Sequence, residues 1–233
     1  MKLTKLTHQK IKAIIFDLDG TLIDSDRDLK IIINKIRKKF FKDKKYLSIN
    51  EIAKYSSLGG ASLVKKTIGS KKKIDFLQIF RNYYLNNDVN INLLFSNVEN
   101  FLIYLKKKGL KIFICTNKPK ILTKKIVNKT YLKNYISKFF CSDEYGIKKP
   151  DKKFLSKIKN ELNLKDQEII FIGDSMIDYK FCEKTLINFF LYFNKRLKYP
   201  KKIYLKLQKS NRILYNYKKI KVIKKLISPK KID

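Results

Sequence analysis

Histidine is almost missing from this chain of 233 residues: His8 is the only one. A Ser-His-Asp triad or a histidine-rich metal centre therefore has little to draw on. Cysteine is sparse too. Cys115, Cys141 and Cys182 are an odd number with no C-x-x-C pair, which argues for free thiols in a reducing compartment. Cys115 sits inside an apolar run and reads as a packed core residue rather than a nucleophile. Long apolar runs are absent, since no stretch approaches the roughly 18–20 residues a membrane-spanning helix needs. Met1 to Lys12 carries no apolar leader segment, so the expected setting is the cytoplasm, with no membrane partner.

Arginine is scarce in a way that qualifies the charge. The formal net charge is +35, from 55 basic against 20 acidic residues, yet only Arg27, Arg37, Arg81, Arg196 and Arg212 are arginine. Readers of nucleic acid lean on arginine for bidentate contacts, and the lysines here are spread along the chain instead of forming a tract. Gly and Pro are few and Trp is absent, while Ile, Asn, Phe and Tyr abound. That is the residue set AT-rich coding favours. Nucleic-acid binding is kept only as an alternative; a basic surface equally attracts a small phosphorylated metabolite.

What is present is an alternation of short apolar runs and amphipathic stretches. Ala13-Ile14-Ile15-Phe16 reads as a buried strand, as do runs at 111–115, 139–142, 168–172, 188–192 and 213–215. Helical patterns separate them at 98–108, 121–128 and 154–162, and an apolar stripe, Ile220, Ile223 and Ile227, follows the last. This rhythm predicts an α/β fold with a doubly wound parallel sheet. Between about Ile23 and Asn90 there is no convincing strand. Leu29, Ile32, Ile33, Ile36 and Phe40 have helical spacing, and further helices are expected near 50–57, 61–68 and 74–86. The expected organisation is a core of 1–22 and 91–233 with an all-helical insert at 23–90. Ser25 is the expected N-cap of the first helix. The stretch 195–209 reads as either loop or helix.

Four strand ends finish in polar residues. The first gives Asp17 and Asp19 with Gly20 to turn the chain, the second Thr116 and Asn117, the third Lys148-Lys149-Pro150, the fourth Gly173-Asp174-Ser175 and then Asp178. In an open parallel sheet these ends line one edge, where ligands bind. Of the first pair, one carboxylate can attack while its neighbour handles the proton. Carboxylates converging there repel one another unless a cation sits among them, and hard oxygen ligands select Mg²⁺. Asp174 and Asp178, four apart across a helix start, face the same side.

Taken together, Asp17-Leu18-Asp19-Gly20-Thr21, Thr116-Asn117-Lys118-Pro119, Lys149-Pro150 and Gly173-Asp174-Ser175-Met176-Ile177-Asp178 resemble the motifs of haloacid dehalogenase-superfamily phosphatases. The nearest likeness is to the phosphoglycolate phosphatase-like branch, which also carries a helical cap after its first motif. The resemblance implies a Mg²⁺-dependent phosphatase acting on a small phosphate monoester. Asp17 would be the nucleophile that forms an aspartyl-phosphate, and Asp19 the acid-base, its backbone carbonyl also turned to the metal. Asp174 would be the acidic metal ligand, with Asp178 supporting the site directly or through water. Thr116 and the backbone amide of Asn117 would hold the phosphoryl oxygens, and Lys149 would orient Asp17 and offset charge, with Lys148 its adjacent alternative. Asp19 favours phosphate esters over halides, because an alkoxide needs a proton to leave. A β-phosphoglucomutase-like phosphomutase shares these parts and stands as the other enzyme reading. Two departures from the family pattern are Lys152 in place of a second proline and Phe181-Cys182-Glu183-Lys184-Thr185 in place of a small-residue stretch. Asp24 and Ser25 read as helix-entry residues and Lys118 as a solvated lysine. Gly59 and Gly60 shape either a substrate-facing loop or merely a helix turn.

Overall fold

The structure, a computed structural model, describes residues 10–41, 44–70, 73–86 and 93–228. Its centre is strand β1 (Ala13–Phe16), four buried residues whose side chains alternate between two apolar layers. Ile14 and Phe16 face one core and Ala13 and Ile15 the other, the period-2 consequence of a strand covered on both sides. β1 pairs in parallel with β2 (Lys111–Thr116) on one side and β4 (Ile169–Gly173) on the other. Next to β2 lies β3 (Lys138–Cys141), and beyond β4 come β5 (Asn188–Tyr192) and the short β6 (Ile213–Leu214). The sheet order is therefore β3-β2-β1-β4-β5-β6, all parallel. The chain direction across the sheet reverses between β1 and β4, so the crevice at their carboxyl ends is the place for a ligand.

Between β1 and the return of the chain at Leu93 the described residues form four helices: α1 (Asp26–Phe40), α2 (Ile49–Ser56), α3 (Gly60–Thr67) and α4 (Phe76–Asn86). The stripe Leu29, Ile32, Ile33 and Ile36 of α1 is buried, together with Ile52, Leu63, Phe76 and Phe80 from the other three. Phe76 closes the far end against Phe40 and Phe41, with ring centroids 5.3 and 5.5 Å apart. The two connections to the sheet run side by side. The Asp24 N–H donates to the Leu93 carbonyl at 2.7 Å, the Phe95 N–H to the Leu22 carbonyl at 3.0 Å, and Ile23 bridges Leu94. The expected insert boundary at 90–91 lies outside the described residues.

The remaining helices cover the sheet: α5 (Val98–Lys107), α6 (Lys120–Lys129), the single turn α7 (Ser142–Tyr145), α8 (Lys152–Leu162), α9 (Met176–Cys182), α10 (Lys201–Lys209) and α11 (Lys221–Ile227). The ambiguous stretch 195–209 resolves into a turn followed by α10. Ser25 is not the cap expected: it precedes α1 with helical dihedrals, and its hydroxyl makes no capping bond. A capping side chain needs an extended backbone at that position, which Ser25 does not have. The three cysteines are buried and free. Among the described residues no helix is long and apolar enough to cross a membrane.

Candidate active site

β1 delivers Asp17 directly into the crevice, where its N–H still follows the sheet and donates to the Ile172 carbonyl of β4 at 2.9 Å. The chain then turns at Gly20, whose φ is +81°. A side chain there would strain the backbone and place a Cβ 2.1 Å from Asp174 Oδ2. Glycine is thus what lets the first strand end press against the fourth. Gly173 serves the same purpose on β4, since a Cβ would lie 2.5 Å from that of Asp178.

Lys149 arrives from the loop before α8, is buried, and is fully engaged. Its Nζ donates to Asp17 Oδ1 at 2.7 Å, to Asp178 Oδ1 at 2.6 Å and to the Cys115 carbonyl at 2.9 Å. Lys148, the neighbouring candidate, is exposed. The Asn117 side chain clasps the Lys149 backbone, accepting from its N–H at 2.8 Å and donating to its carbonyl at 3.1 Å. Asp178 is held from both ends. While Oδ1 meets Lys149, Oδ2 accepts from the Ser175 hydroxyl at 2.5 Å and from its N–H at 3.2 Å, closing a capping box at the start of α9.

The acids Asp17, Asp174 and Asp178 are all buried, and each offers an oxygen within 4.8 Å of the other two. Among the described residues, the ammonium ion-paired to this triad is that of Lys149, one positive charge against three carboxylates. Burial pushes the Asp17 carboxyl up to about 7; Lys149 pulls the other way and Asp178 adds to the rise. Asp174 is raised well above the usual carboxylate range by burial and by its two acidic neighbours. Burial opposes the charge on Lys149, yet Asp17 and Asp178 hold its pKa above the ordinary lysine value. Asp174 Oδ2 accepts from Asn194, while Oδ1 is buried with no hydrogen-bond donor. A buried carboxylate oxygen without a donor, in a cluster short of positive charge, fits a divalent cation.

Asp19 stands apart from that cluster. Its carboxylate pairs with Lys118 at 3.1 Å, and Lys118 Nζ lies 4.6 Å from the ring centre of Tyr84 on α4. Lys118 is therefore not the solvated lysine expected. Burial opposes its charge, but Asp19 and Tyr84 hold its pKa above the usual range. Burial also pushes Tyr84 up to about 12, with Lys118 working against the rise. Thr116, buried at the end of β2, accepts from the Lys118 N–H at 3.0 Å.

A pocket opens over these groups. Its floor includes Asp17, Asp19, Thr116, Asn117, Lys118 and Lys149, and its roof is formed by Leu29, Ser56, Ser57, Gly59, Gly60, Leu63 and Phe80 of the helical insert. Gly59 and Gly60 line this pocket, and they also form the turn from which α3 starts. The sequence reading missed Lys118, Asn194 and Tyr199. The last two follow β5, a fifth strand end to which the strand-end rule was not applied, and the Tyr199 hydroxyl donates to the Asp174 carbonyl at 2.9 Å.

A six-stranded parallel sheet with buried acids at its central strand ends and helices inserted after its first strand is an α/β fold with a candidate cation site at its switch point. The chain belongs to the haloacid dehalogenase-like hydrolases, whose family model matches residues 14–192. Within that family it is phosphoglycolate phosphatase-like. It is 30% identical over 168 residues to the phosphoglycolate phosphatase of Aquifex aeolicus, covering 72% of this chain and 78% of that one. It is 29% identical over 178 residues to that of Colwellia psychrerythraea, covering 73% and 79%. The crystal structure of a predicted phosphoglycolate phosphatase from Haemophilus somnus superposes with a TM-score of 0.75 at 23% identity, over 94% of this chain and all of the other. A variant of CbbY from Rhodobacter sphaeroides, in complex with xylulose-(1,5)bisphosphate, shares the fold with a TM-score of 0.71 at 13% identity, over 90% of this chain and 96% of that one.

Proposed function

We propose that this chain is a Mg²⁺-dependent phosphatase that hydrolyses a small phosphate monoester through an aspartyl-phosphate on Asp17. The observation that carries the reading is the buried Asp17–Lys149 pair at 2.7 Å beside Asp174, whose Oδ1 has no donor, under a roofed pocket. Asp17 attacks phosphorus; the ester P–O bond breaks and Asp19 gives its proton to the departing alkoxide. Asp19 then takes a proton from water as that water attacks the acyl phosphate, releasing inorganic phosphate and restoring Asp17. Thr116 and the Asn117 N–H hold the phosphoryl oxygens, and Lys149 offsets their charge in the transition state. Asp17, Asp174 and the Asp19 carbonyl would hold the cation, with Asp178 behind them through Lys149 and Ser175. When bound, Mg²⁺ supplies Lewis-acid charge neutralisation and a template for the phosphoryl group.

In this reading residues 23–90 are a cap over a core of 1–22 and 91–233, and the cap excludes bulk water while the aspartyl-phosphate forms. The three unpaired thiols fit a reducing cytoplasm. The relatives' names make 2-phosphoglycolate the first ester to try. The test is phosphate release with Mg²⁺ from a panel of 2-phosphoglycolate, sugar phosphates and nucleoside monophosphates, using wild type and Asp17→Asn. Release by the wild type alone is expected; equal release by both would sink the assignment.

A further inference from the structure

The turn that follows β5 touches two parts of the molecule at once. Towards the acids, Asn194 Nδ2 donates to Asp174 Oδ2 at 3.0 Å, and the Tyr199 hydroxyl donates to the Asp174 carbonyl at 2.9 Å. The two brace each other, because the Asn194 N–H donates to the Tyr199 oxygen at 3.0 Å. Asn194 Oδ1 in turn accepts from the Arg196 N–H at 3.1 Å. Towards the helical insert, the Arg196 guanidinium grips Asp24 in a two-pronged pair, Nη1 to Oδ1 at 2.5 Å and Nη2 to Oδ2 at 2.8 Å. Nη1 also reaches Asp26 Oδ2 at 3.2 Å.

Those two acids sit where the insert joins the core. Asp24 is on the outgoing connection and its N–H is tied to Leu93 on the return. Asp26 opens α1; burial raises the pKa of its carboxyl, and the nearby Ser56, which lines the pocket roof, and Arg196 work against that rise. Both acids are largely buried, as is Arg196. A guanidinium fork holds a carboxylate in one orientation, which an ammonium does not. One short turn thus connects the carboxylate with the donor-free oxygen to the paired connections of the insert.

We propose that Asn194 and Arg196 are positioning residues that couple divalent-cation binding at Asp174 to the seating of the helical insert. The inference rests on the proposed function only in taking the acid triad as a cation site. Asn194 occupies Oδ2 of Asp174 and thereby presents Oδ1 to the crevice. Arg196 holds the insert's connections against the same turn. A cation that draws on Asp174 tightens the turn, and the turn tightens the Asp24–Leu93 pairing. Because coupling between two equilibria is reciprocal, loosening the connections must weaken cation binding by the same factor.

The test uses the full-length chain as wild type, Arg196→Met, Arg196→Lys and Asn194→Ala. Binding of Mg²⁺ alone is measured by calorimetry, and amide exchange in peptides covering 20–26 and 93–96 is followed with and without Mg²⁺. In the wild type Mg²⁺ should slow that exchange. Asn194→Ala should weaken Mg²⁺ binding by about 10-fold or more, as loss of a ligand-orienting hydrogen bond does. Arg196→Met should weaken it by about 5-fold, although Arg196 touches none of the triad, and should abolish the Mg²⁺ effect on exchange. Arg196→Lys should recover part of both. At saturating Mg²⁺, Arg196→Met should raise KM more than it lowers kcat. If Arg196→Met does not fold, Asp24→Asn reads the same coupling. Wild-type Mg²⁺ affinity in the Arg196 and Asp24 variants, with exchange still responsive to Mg²⁺, would overturn the proposal. A chain that shows the coupling but hydrolyses no ester would overturn the proposed function and leave this inference standing.

Discussion

Two helices of this molecule begin with the same device and use it for different ends. In the insert, Ser48 caps α2: its hydroxyl accepts from the Glu51 N–H at 3.3 Å, and Glu51 returns to the Ser48 N–H at 2.8 Å. At the sheet edge, Ser175 caps α9 through Asp178 with the same reciprocal pattern. The first box is exposed, its Glu51 held below the usual carboxylate range by the Ser48 hydrogen bonds. The second is buried, and its acid also receives Lys149. The contrast extends to the regions. The sheet edge carries buried charges tied to several partners each, whereas the described pocket roof from the insert is apolar residues, two serines and two glycines. On the proposed function, chemistry is concentrated on one wall and selection on the other. Changes at the edge should therefore act on kcat for every ester, and changes in the roof on the choice among esters.

The largest expected effect is at Asp17. Asp17→Asn should lower kcat by about 10⁴-fold or more for all esters, because no nucleophile remains. The same variant should behave oppositely in stability. The folded Asp17 carboxyl titrates at about 7, above its ordinary value of 3.8. Its contribution to stability is then fully present below pH 4 and is lost as pH rises through 7, because the unfolded state releases the proton more readily. An amide stands in for the neutral acid at every pH. In metal-free protein, thermal melts of wild type and Asp17→Asn should nearly coincide at pH 4.5, and the variant should melt higher at pH 8. A wild type that gains on the variant with rising pH would contradict the burial argument.

Lys149→Met comes next. Removing the one cation between Asp17 and Asp178 should cost roughly 10²–10³-fold in kcat. It should also destabilise by about 3–5 kcal/mol, because two buried carboxylates lose their partner. In an Asp17→Asn background the stability cost should shrink, since one of those charges is gone, and urea melts of the four proteins measure the difference. Equal costs in both backgrounds would mean that the pair is not energetically joined.

On the roof, Phe80 is buried, packs on Tyr84 with centroids 5.9 Å apart, and lies 3.4 Å from where a Gly60 side chain would begin. Phe80→Ala should cost about 3 kcal/mol of stability. It should shift the ratio of kcat/KM toward bulkier esters by roughly 10-fold, with little change in kcat for the smallest. A uniform fall in kcat for all esters would erase the division between the two walls.

How much of this was legible in the chain differs between the walls for a physical reason. Asp17, Thr116, Lys149 and Asp174 were readable because each ends or follows an apolar run, and a parallel sheet brings such ends together whatever else the chain does. The stripe Leu29-Ile32-Ile33-Ile36 revealed α1 through period alone. Lys118 was misread because its burial comes from Tyr84, a residue of the insert 34 positions earlier, and nothing local to a lysine announces a tertiary partner. Arg196 and Asp24 are 172 positions apart, and their pairing follows from topology, not from spacing. Ser25 has a capping residue's identity without its backbone. Boundaries of the pocket roof depend on how the insert folds over the edge, which periodicity does not encode.

The smallest effects give the sharpest comparison, because they come from one chemical change made twice. Ser48→Ala removes a surface cap and should lower Tm by about 3 °C. Ser48 lines no part of the pocket, so kcat and KM should stay at wild-type values. Ser175→Ala removes the hydroxyl bonded to Asp178 Oδ2 at 2.5 Å. A buried carboxylate oxygen that loses a donor is costly, and the freed acid no longer fixes where Lys149 sits between it and Asp17. We expect kcat to fall by about 10-fold for every ester alike. Ser175→Thr keeps the oxygen and should recover most of the loss. Steady-state kinetics on the four proteins decide the matter. If both alanine variants lowered kcat equally, the two caps would be doing the same structural work, and Asp178 would lose its claim to a place in the site.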